Sequence, residues 1–252
     1  MLAREFLRLC ALEALAPSGT PDSGPWPTLA GKYVFDTRLD PIDDLAEPLP
    51  VISVYTENEE LTKIAQAGPV FHKSQVELCF EIAVLAKLAA SDSDELVVDY
   101  ADTDAALESV IGSIDWQIYS ALHGGPTGAL FRRIAKTPAV HWESSTKRSG
   151  EEAYRLAKRT IVAKVDLQEF VYQVAPTPPL TGLGRLSPRL QPIAEALSNS
   201  TYRTALVLGI AKAAPIGPTP YTPLESIGVQ ATAGQGGENL IAGEANNLNP
   251  QS

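Results

Sequence analysis

The sequence predicts an α+β fold: a mainly antiparallel sheet packed with two main helices, followed by a Pro/Gly-rich C-terminal extension. Three observations carry this. Residues 76–88 alternate strictly, with Val76, Leu78, Phe80, Ile82, Val84, Ala86 and Leu88 on one face. Glu77, Cys79, Glu81, Ala83, Leu85 and Lys87 take the other face, which begins acidic. Residues 103–122 place Leu107, Val110, Ile111, Ile114, Ile118 and Leu122 at helical spacing. Half of the 20 prolines and half of the 18 glycines lie beyond residue 175, which separates a domain over 1–175 from an extension over 176–252.

The elements follow in order. Leu2, Phe6, Leu9, Leu12 and Leu15 recur at helical period, so residues 2–16 read as a first helix, stopped by Ala16-Pro-Ser-Gly19. Four prolines and two glycines make residues 17–28 an extended loop. Lys32-Tyr-Val-Phe-Asp36 reads as a short strand, and the acidic, Pro-punctuated stretch 36–50 as a loop. Pro50-Val-Ile-Ser-Val-Tyr-Thr56 is a β-branched run of strand length. Asp102-Thr-Asp104 caps the central helix, and His123-Gly-Gly-Pro126 ends it. Residues 128–136 allow another helical turn or two.

Ala139-Val-His-Trp-Glu143 reads as a strand and residues 154–170 as its partner. In the partner Ile161, Ala163, Val165 and Leu167 turn inward, and Lys158, Lys164 and Asp166 outward. The hydrophilic linker 144–153 reads as an exposed, mobile hairpin arm. In the extension one helix is expected over 188–213, with Leu190, Ile193, Leu197, Leu206 and Ile210 as its apolar positions. From Ala214 onward the Pro/Gly/Thr/Asn-rich sequence is expected to order only against a partner.

Composition narrows the function. The net charge of −10 leaves no whole-chain basic footprint for nucleic acid. No stretch approaches about 18 consecutive apolar residues, so no transmembrane helix is expected, and the first helix, with Arg4, Glu5 and Arg8 in it, does not read as a signal peptide. Cys10 and Cys79 sit far apart in apolar surroundings, which excludes a disulfide framework and favours a reducing compartment. Charge is uneven: residues 1–126 hold 7 Lys/Arg against 21 Asp/Glu, whereas 127–175 hold 9 against 5. That division either neutralises itself within one subunit or gives two faces of opposite sign, and opposite faces favour head-to-tail contacts that can close into rings.

The search for chemistry is mostly negative. There is no P-loop and no Gly-x-Ser-x-Gly elbow, and Gly182-Leu-Gly184 is at most half a dinucleotide fingerprint. His72, His123 and His141 are scattered; His141 and Glu143 share one strand face without further ligands. Glu57, Glu59 and Glu60, like Asp92, Asp94 and Glu95, fall in expected loops where carboxylates are solvated. No catalytic residue, metal ligand or cofactor is assigned. The basic cluster Lys147, Arg148, Arg155, Lys158 and Arg159 is better suited to an acidic protein surface, including a neighbouring copy, than to phosphate.

Three runs carry a family resemblance: Trp26-Pro-Thr-Leu-Ala-Gly31, Val34-Phe-Asp36-x-Arg38, and Leu49-Pro-Val-Ile-Ser-Val-Tyr-Thr56. With the long alternating strand, the helix and the closing strand pair, residues 1–170 resemble the tail terminator (tail completion) proteins of long-tailed bacteriophages. The resemblance implies a homo-oligomeric ring, commonly a hexamer, on the head-proximal end of the tail tube. Such a ring ends tube polymerisation, meets the head–tail connector or stopper, and lets DNA pass without sequence-specific binding. It implies a place in the tail-neck region of the virion, after assembly in the host cytoplasm. On this reading Glu77 and Glu81 face the lumen, and Lys147, Arg148, Arg155, Lys158 and Arg159 form a subunit or neighbour-ring interface. Two alternatives stay open. One is another neck component, a head–tail stopper or adaptor. The other is a small cytoplasmic enzyme, which needs a pocket where His141 and Glu143 converge with Trp142 or Trp116.

Overall fold

The computed structural model describes residues 2–37, 50–63, 71–87, 104–135, 141–151, 154–170 and 181–214. The chain divides into two compact units, Met1–Phe170 and Val171–Ser252. The first unit is α+β. Its elements run α1 (Leu2–Leu15), β1 (Val34–Asp36), β2 (Val51–Lys63), β3 (Phe71–Lys87), α2 (Asp104–His123), α3 (Ala129–Ile134), β4 (His141–Glu151) and β5 (Tyr154–Phe170). The five strands form one mixed sheet in the order β1-β2-β3-β5-β4. β1 lies parallel to β2, and every other neighbouring pair is antiparallel.

The spine is the β3–β5 ladder, in register from Phe71 opposite Phe170 to Lys87 opposite Tyr154. Period-two alternation sends Val76, Leu78, Phe80 and Ile82 to one face, where they meet Ile52 and Val54 of β2 and Ile161, Ala163 and Val165 of β5. All of these are buried. Helices α1 and α2 pack on that face. The buried stripe of α1 is Phe6, Leu7, Leu9, Cys10, Leu12 and Leu15, and that of α2 is Leu107, Ile111, Ile114, Ile118 and Leu122. Two arginines tie α1 to the sheet edge. Arg4 donates from Nε to Thr56 Oγ1 and from Nη2 to the Thr56 carbonyl, both at 2.8 Å. Arg8 pairs with Asp36 of β1 and with Glu5.

Two expected loops are strand. Glu57, Glu59 and Glu60 belong to β2, which continues past a bulge between Thr56 and Glu59 and resumes register with Glu59 opposite Val76. The expected arm 144–153 is, over its first eight residues, β4 itself, paired with β5 as far as Glu151 opposite Tyr154. Both segments are polar enough to read as loop; the backbone ladder to a long neighbouring strand holds them as strand. Asp92, Asp94 and Glu95, the pair Ala139-Val140 and residues 152–153 lie outside the described residues.

The α2–α3 turn needs a glycine. A Cβ on Gly128 overlaps the carbonyl oxygens of Ala121 and Leu122. The end of α2 is then satisfied from α3: Arg132 Nη1 donates to the carbonyls of Gly125 at 2.8 Å and Leu122 at 3.2 Å.

In the second unit the expected single helix is two, α4 (Gln191–Leu197) and α5 (Thr201–Ala213). Ser198-Asn199-Ser200 breaks it, and the Ser200 hydroxyl caps α5 by accepting from the Arg203 amide. Leu190, Ile193 and Leu197 are buried as expected, but in α5 Val207 and Ala211 are buried while Leu206 and Ile210 are only partly so. A 3₁₀ turn at Gly182–Arg185 packs with both helices, and Arg185 Nη2 donates to the Ala214 carbonyl at 3.0 Å. Residues beyond Ala214, on which the partner-ordered tail was expected, lie outside the described residues.

Candidate assembly surfaces

The sheet has one face under helices and one that α1 and α2 leave alone. Glu77 and Glu81 both stand on the second face, since Glu77 is opposite Lys164 and Glu81 lies between Ser53 and Thr160. This face is of mixed charge. Glu77 Oε1 lies 3.5 Å from Lys164 Nζ, and Glu77 Oε2 accepts from Asn58 Nδ2 at 2.7 Å. Gln75 Nε2 donates to Asp166 Oδ1 at 3.2 Å. Lys158 shares the face, two and four registers beyond Thr160 and Val162. The acidity that β3 shows alone is thus interleaved with lysines from β5. On this same face Ser53 and Ala83 are buried. Cys79 is buried, and burial, followed by the charges of Glu57 and Glu77, pushes its thiol up to about 12. Burial, with Cys79, Glu81 and Glu57 nearby, raises the Tyr55 phenol to about 12.

Of the five basic residues read from the sequence as one patch, Lys158 and Arg159 part to opposite faces of β5. Lys147, Arg148 and Arg155 hold backbone positions in the β4–β5 ladder, opposite Lys158, Ala157 and Gly150; their side chains lie outside the described residues. Arg159, one residue from Lys158, turns to the helix side. Its guanidinium pairs with Glu108 of α2, approaches Asp115 Oδ2 at 3.4 Å and donates from Nε to Thr146 Oγ1 at 3.0 Å. Only 12% of the Arg159 side chain is exposed. It fastens α2 to β5 and β4 within the subunit.

Beside it lies a cluster of which the sequence reading named only Trp116 and Trp142. Asp115 Oδ1 accepts from Trp142 Nε1 at 3.1 Å, so one carboxylate joins the edge strand, the helix and Arg159. Trp142 stacks on Phe80, meets Tyr119 edge-on at 5.3 Å and approaches His123. Trp116 and Tyr119, one turn apart on α2, stack at 5.9 Å and are 67% and 37% exposed. Gly112, Asp115, Trp116, Tyr119 and Trp142 line an open recess of about 350 Å³. His123, between Tyr119 and Phe131, titrates below its usual range because it is half-buried and Arg132 stands near. The sequence signal was present in the i, i+3 pair of aromatics on the helix and the tryptophan in a polar strand, but only the register brings them together.

Among the described residues β4 ends the sheet, paired on one side only. His141, Glu143, Ser144 and Ser145 are exposed along it. His141 Nε2 and Glu143 Oε2 are 3.1 Å apart, both largely in solvent. They stand on the opposite face of β4 from Trp142, whose indole points to α2, so His141 and Glu143 do not converge with Trp142 or Trp116. Among the described residues no group of three or more His, Cys, Asp or Glu could hold a metal ion, and no helix is long and apolar enough to cross a membrane. Comparison with known protein families and with curated proteins finds no match for this chain.

Proposed function

We propose that this chain is a structural subunit of a bacteriophage tail neck, forming a ring that caps the head-proximal end of the tail tube. The observation that carries the reading is the order of elements over residues 1–170. A short helix leads through the Trp26–Gly31 loop to a short strand, the Val51–Thr56 strand, a long alternating strand, a helix and a closing hairpin. That order accompanies the three sequence runs of the resemblance. The sheet face free of α1 and α2, bearing Glu77 and Glu81, is the surface proposed to line the lumen. Its interleaved charges hold no continuous cationic track for a passing phosphate backbone. Lys158, half-buried on that face, and the β4 edge are the surfaces proposed for contacts with a second copy, the tube or the head–tail connector.

The test is electron microscopy of the purified chain, alone at high concentration and mixed with cognate tail tubes. Rings, or a cap at one tube end with growth arrested, are the expected result. Monomers that leave tube growth untouched overturn the proposal. A Glu77→Lys/Glu81→Lys variant is expected to keep the fold and the cap but to hinder DNA passage.

A further inference from the structure

We propose that β4 is a self-complementary edge: it pairs antiparallel with β4 of a second copy about a two-fold axis at Ser145. The strand His141–Glu151 is a bulge-free ladder on its inner side, and among the described residues no strand pairs its outer side. Proline, bulges and charge of one sign blunt such an edge; β4 has no proline and no bulge, and its charges are of both signs, so an oppositely run copy can match them.

The sequence chooses the partner. With Ser145 opposite Ser145 of the second copy, Glu143 faces Lys147, Trp142 faces Arg148 and Ser144 faces Thr146, each contact occurring twice. The charges that make the edge polar thus become pairs. Shifting the centre to Ser144 or Thr146 places Glu143 against Ser145 or Ser149 and loses the match. Centring between two residues pairs odd with even positions, which puts the helices of the two copies on opposite faces of the joint sheet. The Ser145 register also brings the second copy's Arg148 opposite Trp142, at the mouth of the recess that Asp115, Trp116, Tyr119 and Trp142 line. Aromatic faces around a carboxylate suit a guanidinium.

The opposite sheet edge is a poorer partner. Through the ladders Lys147 is level with Val51, and Trp142 with Thr56. The basic end of β4 therefore misses the acidic Glu57–Glu60 end of a neighbour's β2 unless the copies slide by many residues. The pairing does not depend on the ring proposal, because a cross-linked dimer is read whether or not tubes are capped.

Disulfide trapping of the full chain tests it. In the proposed register the two copies of residue 145 have Cα atoms about 4.5–5.5 Å apart, within disulfide range. The two copies of residue 149 are about 27 Å apart. Cys10 and Cys79 are buried and give little background. Ser145→Cys is expected to oxidise to a covalent dimer, and Ser149→Cys to remain largely uncross-linked. In sedimentation at low salt, Glu143→Lys is expected to weaken association about ten-fold or more, and Glu143→Lys/Lys147→Glu to restore it. Equal cross-linking of the two cysteine variants, no cross-linking of Ser145→Cys, or failure of the double reversal to restore association overturns the proposal.

Discussion

Arg159→Met separates a fastening role from an interface role. The methionine keeps the aliphatic stem and removes the guanidinium. Lost with it are the pairs to Glu108 and Asp115 and the donation to Thr146. A hydrogen bond to a charged group is worth about 1.5–3 kcal/mol when well formed. Two features reduce the total. Glu108 is 40% exposed and regains water, and Asp115 keeps the Trp142 indole donor. The loss therefore stays below the roughly 3–5 kcal/mol of a stranded buried charge. We expect about 2 kcal/mol, read as a lower urea midpoint at unchanged m-value, or a Tm lower by about 4–8 °C. A double-mutant cycle with Asp115→Asn is expected to show coupling near 1 kcal/mol. A stability within about 0.5 kcal/mol of the parent, combined with lost self-assembly, refutes the intrasubunit assignment and returns Arg159 to the interface.

Three further outcomes are expected. Gly128→Ala drives a Cβ into the Ala121 and Leu122 carbonyls and costs about 2 kcal/mol or more by chemical denaturation, whereas Gly19→Ala, with open space around it, changes stability little. The lowered titration of His123 means that the unfolded chain takes its proton first as pH falls. Stability is accordingly lost below the ordinary value of 6.5, and His123→Phe flattens the dependence of the urea midpoint between about pH 5 and 8. The Cys79 thiol, pushed up to about 12, and buried Cys10 are expected to react with an aromatic disulfide reagent at pH 8 only at the rate of unfolding; fast labelling of either contradicts their burial.

Much of the first unit was legible because its signals are periodic. The alternation of Ile161, Ala163, Val165 and Leu167 placed β5 at the bounds the structure gives, and the stripes of α1 and α2 were out by a residue. What was not legible shares one cause. Glu57–Glu60 and Ser144–Glu151 have loop composition, and nothing local marks them as strand; β3 and β5 impose it on them by offering long ladders. The helix expected over 188–213 failed at three residues whose side chains prefer caps to helix interiors, a local signal outweighed by the apolar period on either side.

The candidate surface turned on the same physics at finer scale. Lys158 and Arg159 look alike in the sequence as members of one basic run. In a strand, adjacent residues belong to opposite faces, so a charge cluster along a strand is two half-clusters. Lys158 joins Glu77, Glu81 and Lys164 on the polar face, while Arg159 meets Glu108 and Asp115 beneath α2. The acid-rich first half and base-rich middle of the chain are thus partly neutralised inside the subunit, by Arg159 with α2 and by Lys164 with Glu77. The β4 edge, which no other strand among the described residues pairs, carries Glu143 and Lys147 four residues apart about a central serine. Opposite charges spaced evenly about one residue are matched by their own reverse, so the charge pattern of this edge points to a second copy of the same strand.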